Sequence, residues 1–347
     1  MTIAHTQLIR PARLHPGDRV AVVSPSWAGP AIYPHVYEAG LHTLRSVLQV
    51  EVAEMPYARA IAPTPAERVA DLHQAFADPT IKAVFTSVGG EDSLRLLPLL
   101  DLALITANPK ILMGYSDITT LLVFAHGGGL VTFHGPQVMA GFAQWPSLPH
   151  AYRQRIVDFL RHPSPTYDYH AFGAFTDGYP EWAFPENATR IKHLQADGGW
   201  RWLQGRGVRQ GRLFGGCIEV MAFIQGTRYW PDDGFWQDRI LFVETSEEMP
   251  TIQAVKRMLR TMGVAGVFER LSALLVGRPF GYDEAMKRAF DEMVVGVVAG
   301  EFGCRDLPIV ANVDIGHTDP QWIVPIGCLA EVDVEARRIR LIEPALD

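Results

Sequence analysis

The chain has 347 residues, of which 48% are hydrophobic and 20% charged, the composition of a globular protein with enough apolar side chains for two domains. Its formal net charge is −7, so it has no surplus of Lys and Arg to neutralise nucleic-acid phosphates or an anionic membrane. No stretch approaches the roughly 18 apolar residues of a membrane span, and residues Met1–Thr6 lack the features of a signal peptide. We therefore expect a cytoplasmic protein that binds neither a nucleic-acid polymer nor a membrane.

Cysteine and histidine spacing argues against metal sites and disulfides. The three cysteines, Cys217, Cys304 and Cys328, lie far apart and form no C-x-x-C pair, which favours buried, reduced thiols. The twelve histidines show no metal-ligand spacing. No G-x-G-x-x-G or P-loop motif occurs, so the sequence predicts neither a nucleotide cofactor nor a metal.

The first half alternates strand and helix patterns. A helix start is predicted at Thr64, which can cap, with Pro65 in the first helical position and Glu67 completing a capping box. The predicted elements of this half, in chain order, are a strand at 19–23, a helix from 65 to 77, a strand at 81–88, an apolar helical segment at 94–104 that Pro98 interrupts, a strand at 111–113, a helix at 118–125 and a strand at 131–133. Near-continuous apolar strands alternating with helices indicate a parallel sheet covered on both faces.

Proline and aromatic residues are concentrated from about Gln144 to Pro185, which is typical of a connector or lid. The second half is less regular. It contains predicted strands at 239–243, 271–277 and 308–313, a helix at 252–262 and a closing hairpin at 330–342. We therefore predict an N-terminal α/β domain at 1–145, a connector at 146–185 and a C-terminal domain at 186–347.

Ser116 lies between a predicted strand and a helix N-terminus. A turn at this point exposes the hydroxyl at the carboxyl edge of the sheet, where unpaired first-turn N–H groups and the helix dipole favour a developing oxyanion. The alternative is that Ser116 only caps the helix. The segment is not the hydrolase elbow G-x-S-x-G, because Ile118 occupies the position of the second glycine.

Three further features could complete a catalytic site. Gly89 and Gly90 end the preceding strand and let the backbone approach a ligand and donate to it, although a plain turn is the alternative. Glu244 ends an apolar strand, and His317 follows another. A serine needs a base to remove its proton, and an imidazole base needs a carboxylate to fix its tautomer. Ser116, Glu244 and His317 together therefore favour a triad.

These segments resemble the serine peptidase family of LD-carboxypeptidases and microcin-immunity (MccF-type) proteins. The resemblance is spread over nearly the whole chain. It rests on motifs in the same order, namely Gly17–Pro25, Gly89-Gly90, Gly114–Thr119, His134-Gly135-Pro136, Gly215-Gly216-Cys217, Phe242-Val243-Glu244, Gly316-His317-Thr318 and Pro325-Ile326-Gly327.

The resemblance implies Ser116 as nucleophile, His317 as general base and acid, and Glu244 as the carboxylate that orients His317. The backbone N–H groups of Gly90 and Asp117 would form the oxyanion hole. The implied fold is a mostly parallel, flavodoxin- or Rossmann-like N-terminal domain and a β-barrel-like C-terminal α/β domain. The active site would lie in the cleft between them, and many relatives are homodimers.

The implied activity is hydrolysis of an amide bond near a carboxyl terminus. The substrate would be a murein peptide, as in peptidoglycan recycling, or a peptidyl or aminoacyl nucleotide, as in microcin immunity. In the microcin-immunity branch an aromatic side chain stacks on the nucleobase, which points to Trp200 or Trp202 as that side chain. Gly89 is the further candidate for substrate binding. Both tryptophans could instead fill the interdomain core. Cys217 stands where the family often has Asn, and no role is assigned to it.

A second class of function stays open at this point. The chain could be a non-catalytic two-domain protein that binds a small ligand in its cleft, with Ser116 only a helix cap.

Overall fold

The computed structural model describes residues 8–347, and the signal-peptide prediction for Met1–Thr6 lies outside this range. The strands, in chain order, are β1 (Arg19–Val23), β2 (Glu51–Glu54), β3 (Ile81–Thr86), β4 (Ile111–Gly114), β5 (Thr132–His134), β6 (Tyr167–Asp168), β7 (Ala174–Phe175), β8 (Gln195–Ala196), β9 (Arg201–Gln204), β10 (Val208–Cys217), β11 (Arg239–Glu244), β12 (Leu271–Gly277), β13 (Ile309–Val313), β14 (Val324–Ile326), β15 (Leu329–Asp333) and β16 (Arg338–Leu341).

The α-helices, in chain order, are α1 (Gly29–Ile32), α2 (Pro34–Val47), α3 (Pro65–Ala77), α4 (Leu102–Ala107), α5 (Thr119–His126), α6 (His150–Arg161), α7 (Ile218–Ile224), α8 (Ile252–Val264) and α9 (Glu284–Val295). Short 3-10 segments include Ser93–Leu99 and Ser116–Ile118, and a π-helical segment at Gly296–Glu301 follows α9. No helix within residues 8–347 is both long enough and apolar enough to cross a membrane.

The first sheet has six strands in the order β14-β5-β4-β3-β1-β2. Strands β1 to β5 pair in parallel, and β14 joins β5 antiparallel. The predicted parallel sheet is therefore confirmed, and its first five strands follow the flavodoxin-like order. In such sheets a ligand crevice opens at the carboxyl ends of the strands, where the strand order reverses. Here that point lies between β1 and β3.

The predicted start of α3 is confirmed. Thr64 Oγ1 accepts from the Glu67 N–H at 3.3 Å, and the Glu67 carboxylate accepts from the Thr64 N–H at 2.7 Å. The apolar helix predicted at 94–104 is interrupted, forming a 3-10 segment and then α4. Pro98 has no N–H to donate within a helix, and Asp101 caps the new helix by accepting from the Leu104 N–H at 3.0 Å.

The second sheet has eight strands in the order β6-β16-β15-β10-β11-β12-β13-β9. Its centre, β10 to β13, is parallel, and its flanks are antiparallel. The predicted α/β class of this half is confirmed, and β15 and β16 form the predicted closing hairpin. Among the described strands the sheet is open, with β6 and β9 as its edges.

The two sheets meet behind Ser116, where the end of β10 packs against α5. A Cβ on Gly216 would lie 2.4 Å from the Thr119 side chain, and one on Gly215 would lie 1.7 Å from the Phe242 carbonyl oxygen. The Cys217 N–H donates to Thr119 Oγ1 at 3.1 Å. Only glycine allows this close approach, and it fixes the Ser116 turn relative to the sheet that carries Glu244.

Candidate active site

Ser116 follows β4 in a left-handed backbone conformation, with φ of +62°. Few residues other than glycine adopt this conformation, and those that do are concentrated at functional sites. The residue preceding the 3-10 segment is Tyr115, and no side chain caps that segment or α5. The cap alternative for Ser116 therefore has no support in the structure, and its side chain lines a cavity.

Gly89 lies against Ser116, Gly90 lies against Ser26 and Trp27, and both glycines line the same cavity. Gly90 has a φ of +143°, and within residues 8–347 its N–H donates no hydrogen bond. The Asp117 N–H belongs to the first turn, where helical N–H groups lack partners. The Asp117 carboxylate is held by Ser26 Oγ at 2.5 Å and by the Ser93 N–H at 2.9 Å. Among the described residues the N–H groups of Gly90 and Asp117 therefore remain available to donate to a ligand.

Gly89→Ala is expected to lower kcat/KM by about 100-fold while the protein still folds. A Cβ at this position would lie 2.8 Å from the Ser116 Cβ and 2.9 Å from its Oγ, so the serine must move away from its donors. Losing one oxyanion donor costs about 10² to 10³ in kcat. Kinetics and circular dichroism measure this, with Gly300→Ala as control, because Gly300 is exposed, has no atom within 4 Å of an added Cβ and does not have a left-handed backbone. Wild-type turnover in Gly89→Ala would contradict the expected contact.

Glu244 and His317 are brought together although 73 residues separate them. Glu244 ends β11 and is 1% exposed, and its Oε2 lies 2.7 Å from His317 Nδ1. Two glycines make room for the carboxylate, because a Cβ on Gly316 would lie 2.3 Å from Oε2 and one on Gly277 would lie 2.7 Å from the Glu244 Cβ. The arrangement fixes the imidazole through Nδ1, so Nε2 is the ring nitrogen that faces other partners.

His317 also lies next to the serine turn. Its ring packs edge-on against Tyr115, with ring centroids 4.9 Å apart, and His317 lines the cavity together with Ser116. Within the described residues no hydrogen bond joins the Ser116 hydroxyl to His317; instead His317 Nε2 lies 3.0 Å from the Glu247 carboxylate.

Glu244 and His317 each stabilise the charged form of the other. Burial opposes the charged form of His317, but the Glu244 carboxylate and then Glu247 raise its pKa above the ordinary value. Burial likewise opposes ionisation of Glu244, but His317 and His134 lower the pKa of the carboxyl below its ordinary value. The two carboxylates next to the ring therefore favour the protonated form of His317.

Two polar residues of this group carry no role in the sequence analysis. His134 is fully buried at the end of β5, and its Nε2 lies 3.4 Å from Glu244 Oε1. His134 belongs to the His134-Gly135-Pro136 motif, and this motif is the feature of the sequence that could have pointed to it. Glu247 follows Glu244 by three residues, and no sequence pattern distinguishes it from a surface carboxylate.

The cavity has a volume of about 830 Å³ and lies between the two halves of the chain. The N-terminal half contributes Trp27 and the Ser116 region, and the C-terminal half contributes Phe280 and His317. The predicted connector contributes Tyr179 and Trp182. The volume is that of a small-molecule site.

Trp200 and Trp202 are not among the residues that line the cavity. The Trp200 indole donates to Asp314 Oδ2 at 2.9 Å, and its ring packs edge-on against Trp322 with centroids 4.9 Å apart. Trp202 lies in β9, paired with Val310 of β13. Both tryptophans therefore occupy the packing position that was the alternative to ligand stacking.

Trp182 is the tryptophan of the connector that faces the cavity. Its ring stacks on Tyr179 with centroids 5.9 Å apart and an angle of 18°, and it contacts Tyr33 edge-on at 5.9 Å. The aromatic cluster in Tyr179–Trp182 was visible in the sequence. Its position over the cavity depends on how the connector folds back, which local pattern does not encode.

Comparison with known proteins identifies the family of this chain. The family model described as the LD-carboxypeptidase N-terminal domain matches residues 20–135, and that of the LD-carboxypeptidase C-terminal domain matches residues 210–332. The chain belongs to the LD-carboxypeptidase family. The resemblance in the sequence motifs is thereby confirmed, and membership identifies the chain as a serine peptidase.

This LD-carboxypeptidase is similar to the microcin self-immunity protein MccF of Escherichia coli, with 29% identity covering 81% of this chain and 79% of MccF. It is 39% identical to the murein tetrapeptide carboxypeptidase of Pseudomonas aeruginosa over 40% of this chain and 46% of that protein. A structure of MccF in complex with aspartyl sulfamoyl adenosine superimposes with a TM-score of 0.87 and 25% identity, covering 98% of this chain and 100% of the other.

Proposed function

We propose that this chain is a serine carboxypeptidase in which Ser116, His317 and Glu244 form the catalytic triad and Gly90 and Asp117 provide the oxyanion hole. The observation that carries the proposal is the fixed Glu244–His317 pair, 2.7 Å apart, beside a serine with a left-handed backbone in one cavity. A carboxylate, an imidazole and a hydroxyl so arranged are the parts that nucleophilic acyl transfer requires.

In this mechanism neutral His317 takes the proton of Ser116 through Nε2 as the hydroxyl attacks the scissile carbonyl. The tetrahedral oxyanion accepts hydrogen bonds from the Gly90 and Asp117 N–H groups, each worth roughly 3 kcal/mol in comparable enzymes. His317 then protonates the leaving group. In the second half of the reaction His317 takes a proton from water, which attacks the acyl-enzyme, and returns that proton to Ser116. Glu244 stays ionised and holds Nδ1–H of His317.

Proton transfer requires His317 Nε2 to turn from Glu247 towards Ser116. Catalytic hydrogen bonds often form only when substrate binds, so the missing serine contact is compatible with the mechanism. The raised pKa of His317 means that kcat/KM should increase with pH through a pKa above the ordinary histidine value, because only the neutral ring is a base.

The proposed substrate class is a small conjugate in which an acyl group is joined to a nucleoside or a terminal residue. MccF, which shares the fold across the whole chain, binds aspartyl sulfamoyl adenosine and glutamyl sulfamoyl guanosine. An aminoacyl nucleoside matches a cavity of about 830 Å³ that has aromatic walls. A murein peptide is the rival substrate.

We further propose that Trp182 provides the surface on which a nucleobase stacks. Trp182→Ala should weaken binding of an aminoacyl sulfamoyl adenosine by about tenfold or more, since stacking on an aromatic side chain is worth roughly 1 to 3 kcal/mol per base. Titration calorimetry measures the affinity. Trp200→Ala is the matched control and should change it little; the opposite pattern would return the stacking role to Trp200.

The family profiles fall inside the predicted domains 1–145 and 186–347, which supports that division. The activity itself is tested by incubating the protein with aspartyl sulfamoyl adenosine and with an L,D-tetrapeptide in parallel. We expect hydrolysis of the nucleoside conjugate. Binding of a conjugate without turnover of either compound would instead favour the non-catalytic binding protein.

A further inference from the structure

Glu247 makes a contact that the triad chemistry does not require. Its Oε2 lies 3.0 Å from Nε2 of His317, and its side chain is 61% exposed and lines the cavity. This nitrogen is the one that has to accept the Ser116 proton. Because a carboxylate at this distance favours the protonated ring, Glu247 has to leave before His317 can act as a base.

The other groups around His317 cannot change partners as Glu247 can. Glu244 is buried and held by the two glycine contacts described above. Tyr115 is buried, which raises the pKa of its hydroxyl. Asp319 is buried too, which raises the pKa of its carboxyl, and it accepts a hydrogen bond from the Tyr179 hydroxyl. Glu247 is therefore the charged group next to His317 that is free to move into the cavity.

The charges that face the cavity favour a cation as the new partner. Arg68 and Asp92 both line the cavity and pair with each other at 3.5 Å. Three further carboxylates line it, those of Glu91, Glu247 and Glu248, against the cations Lys192 and His317. The charge of His317 is already offset by the buried Glu244 carboxylate. A positively charged ligand group would thus enter a negative field.

We propose that Glu247 binds a positively charged amino group of the substrate beside the scissile bond, and that this exchange of partners releases Nε2 of His317 for catalysis. The inference rests on the proposed function. During catalysis Nε2 of His317 lies within hydrogen-bond distance of the reacting atoms. A substrate group that takes the place of Nε2 as the partner of Glu247 therefore has to lie close to the scissile carbonyl. The α-amino group and the side-chain amino group of the acyl residue are the two sources of such a cation.

This exchange would make the enzyme selective for substrates with an ammonium group, and it would make the neutral form of His317 depend on binding such a substrate. A substrate with the amino group places its positive charge among the carboxylates of the cavity. It also draws the Glu247 carboxylate away from His317, which the carboxylate otherwise keeps protonated. A substrate without it has to displace Glu247 with no compensating ion pair, which costs affinity and leaves a larger fraction of His317 in the inactive form.

The test compares three substrates: lysyl, norleucyl and N-acetyl-norleucyl sulfamoyl adenosine. The first pair differs in the side-chain ammonium and the second pair in the α-ammonium. In the wild type we expect the ammonium-bearing member of one pair to have roughly three- to tenfold higher kcat/KM. In Glu247→Gln this ratio should fall to about one. The acidic limb of the pH profile should move to lower pH, because the pKa of His317 falls when the carboxylate is lost.

Glu186→Gln is the control, since it removes the same charge from an exposed connector residue that does not line the cavity. It should keep the ratio and the pH profile. The proposal is overturned if both ratios are near one in the wild type, or if Glu247→Gln keeps them. A wild type that hydrolyses none of the three compounds contradicts the proposed function instead. In that case calorimetry still tests the role of Glu247. The affinities of Ser116→Ala and of the double variant Ser116→Ala with Glu247→Gln for the three compounds are compared, and the preference for the ammonium should be present only in the first.

Discussion

Ser116→Ala should lower kcat/KM for an aminoacyl sulfamoyl adenosine by about 10⁴-fold or more, with little change in substrate affinity. The hydroxyl is the atom that forms the acyl bond, and the neighbouring donors cannot replace it. Removing one member of a working triad costs about as much as removing all of it, which leaves the residual effect of the oxyanion hole and of binding. Steady-state kinetics over a range of substrate concentrations measures kcat/KM, and calorimetry measures the affinity.

The matched control is Ser87→Ala, a serine at the end of the neighbouring strand whose buried hydroxyl has no partner within the described residues. Removing an unpartnered buried hydroxyl is nearly neutral for stability. It should keep wild-type turnover. A Ser116→Ala protein with native circular dichroism and more than a tenth of wild-type turnover would exclude Ser116 as nucleophile.

Glu244→Gln should lower kcat by about 10⁴-fold and leave the fold in place. The carboxamide fits the space of the carboxylate, but it cannot hold the Nδ1–H tautomer of His317 or stabilise the imidazolium that forms during proton transfer. Loss of the charge should also lower the pKa of His317, since the Glu244 carboxylate is the leading interaction that raises it. The remaining activity should therefore have its acidic limb at lower pH than the wild type.

The control for this substitution is Glu331→Gln, which changes a buried carboxylate of the same sheet. Glu331 is 6% exposed and pairs with Arg338 and Arg340, away from the cavity lining. It should lose some stability by thermal denaturation and keep its kcat. Equal losses of kcat in the two variants would mean that the charge acts through the sheet and not through His317.

Features that depend on local chain chemistry were predictable from the sequence. The cap formed by Thr64 and Glu67 is fixed within one helical turn, and the parallel strands were recognisable because they are buried on both faces. The interruption at Pro98 was predictable for the same reason, since a residue without an N–H prevents an apolar run of Leu and Ile from forming one helix.

Features that depend on the meeting of distant segments were not predictable in the same way. Trp182 and Trp200 are both aromatic residues near the connector, and only the fold decides that the first faces the cavity and the second packs on Trp322. Nothing in the sequence distinguishes Glu247 from other carboxylates, and only the fold of the loop after β11 brings it into contact with His317. The positions of Ser116, Glu244 and His317 could be predicted because the family motifs carry them.

The most direct test of the central claim is labelling with a fluorophosphonate followed by peptide mass spectrometry, because only an activated serine reacts with this reagent at an appreciable rate. The structure predicts a single phosphonylated residue, Ser116, and a labelling rate that falls strongly in His317→Ala. An unlabelled Ser116 in the folded wild type, or equal labelling of Ser116 with and without His317, would contradict a serine activated by His317 and Glu244.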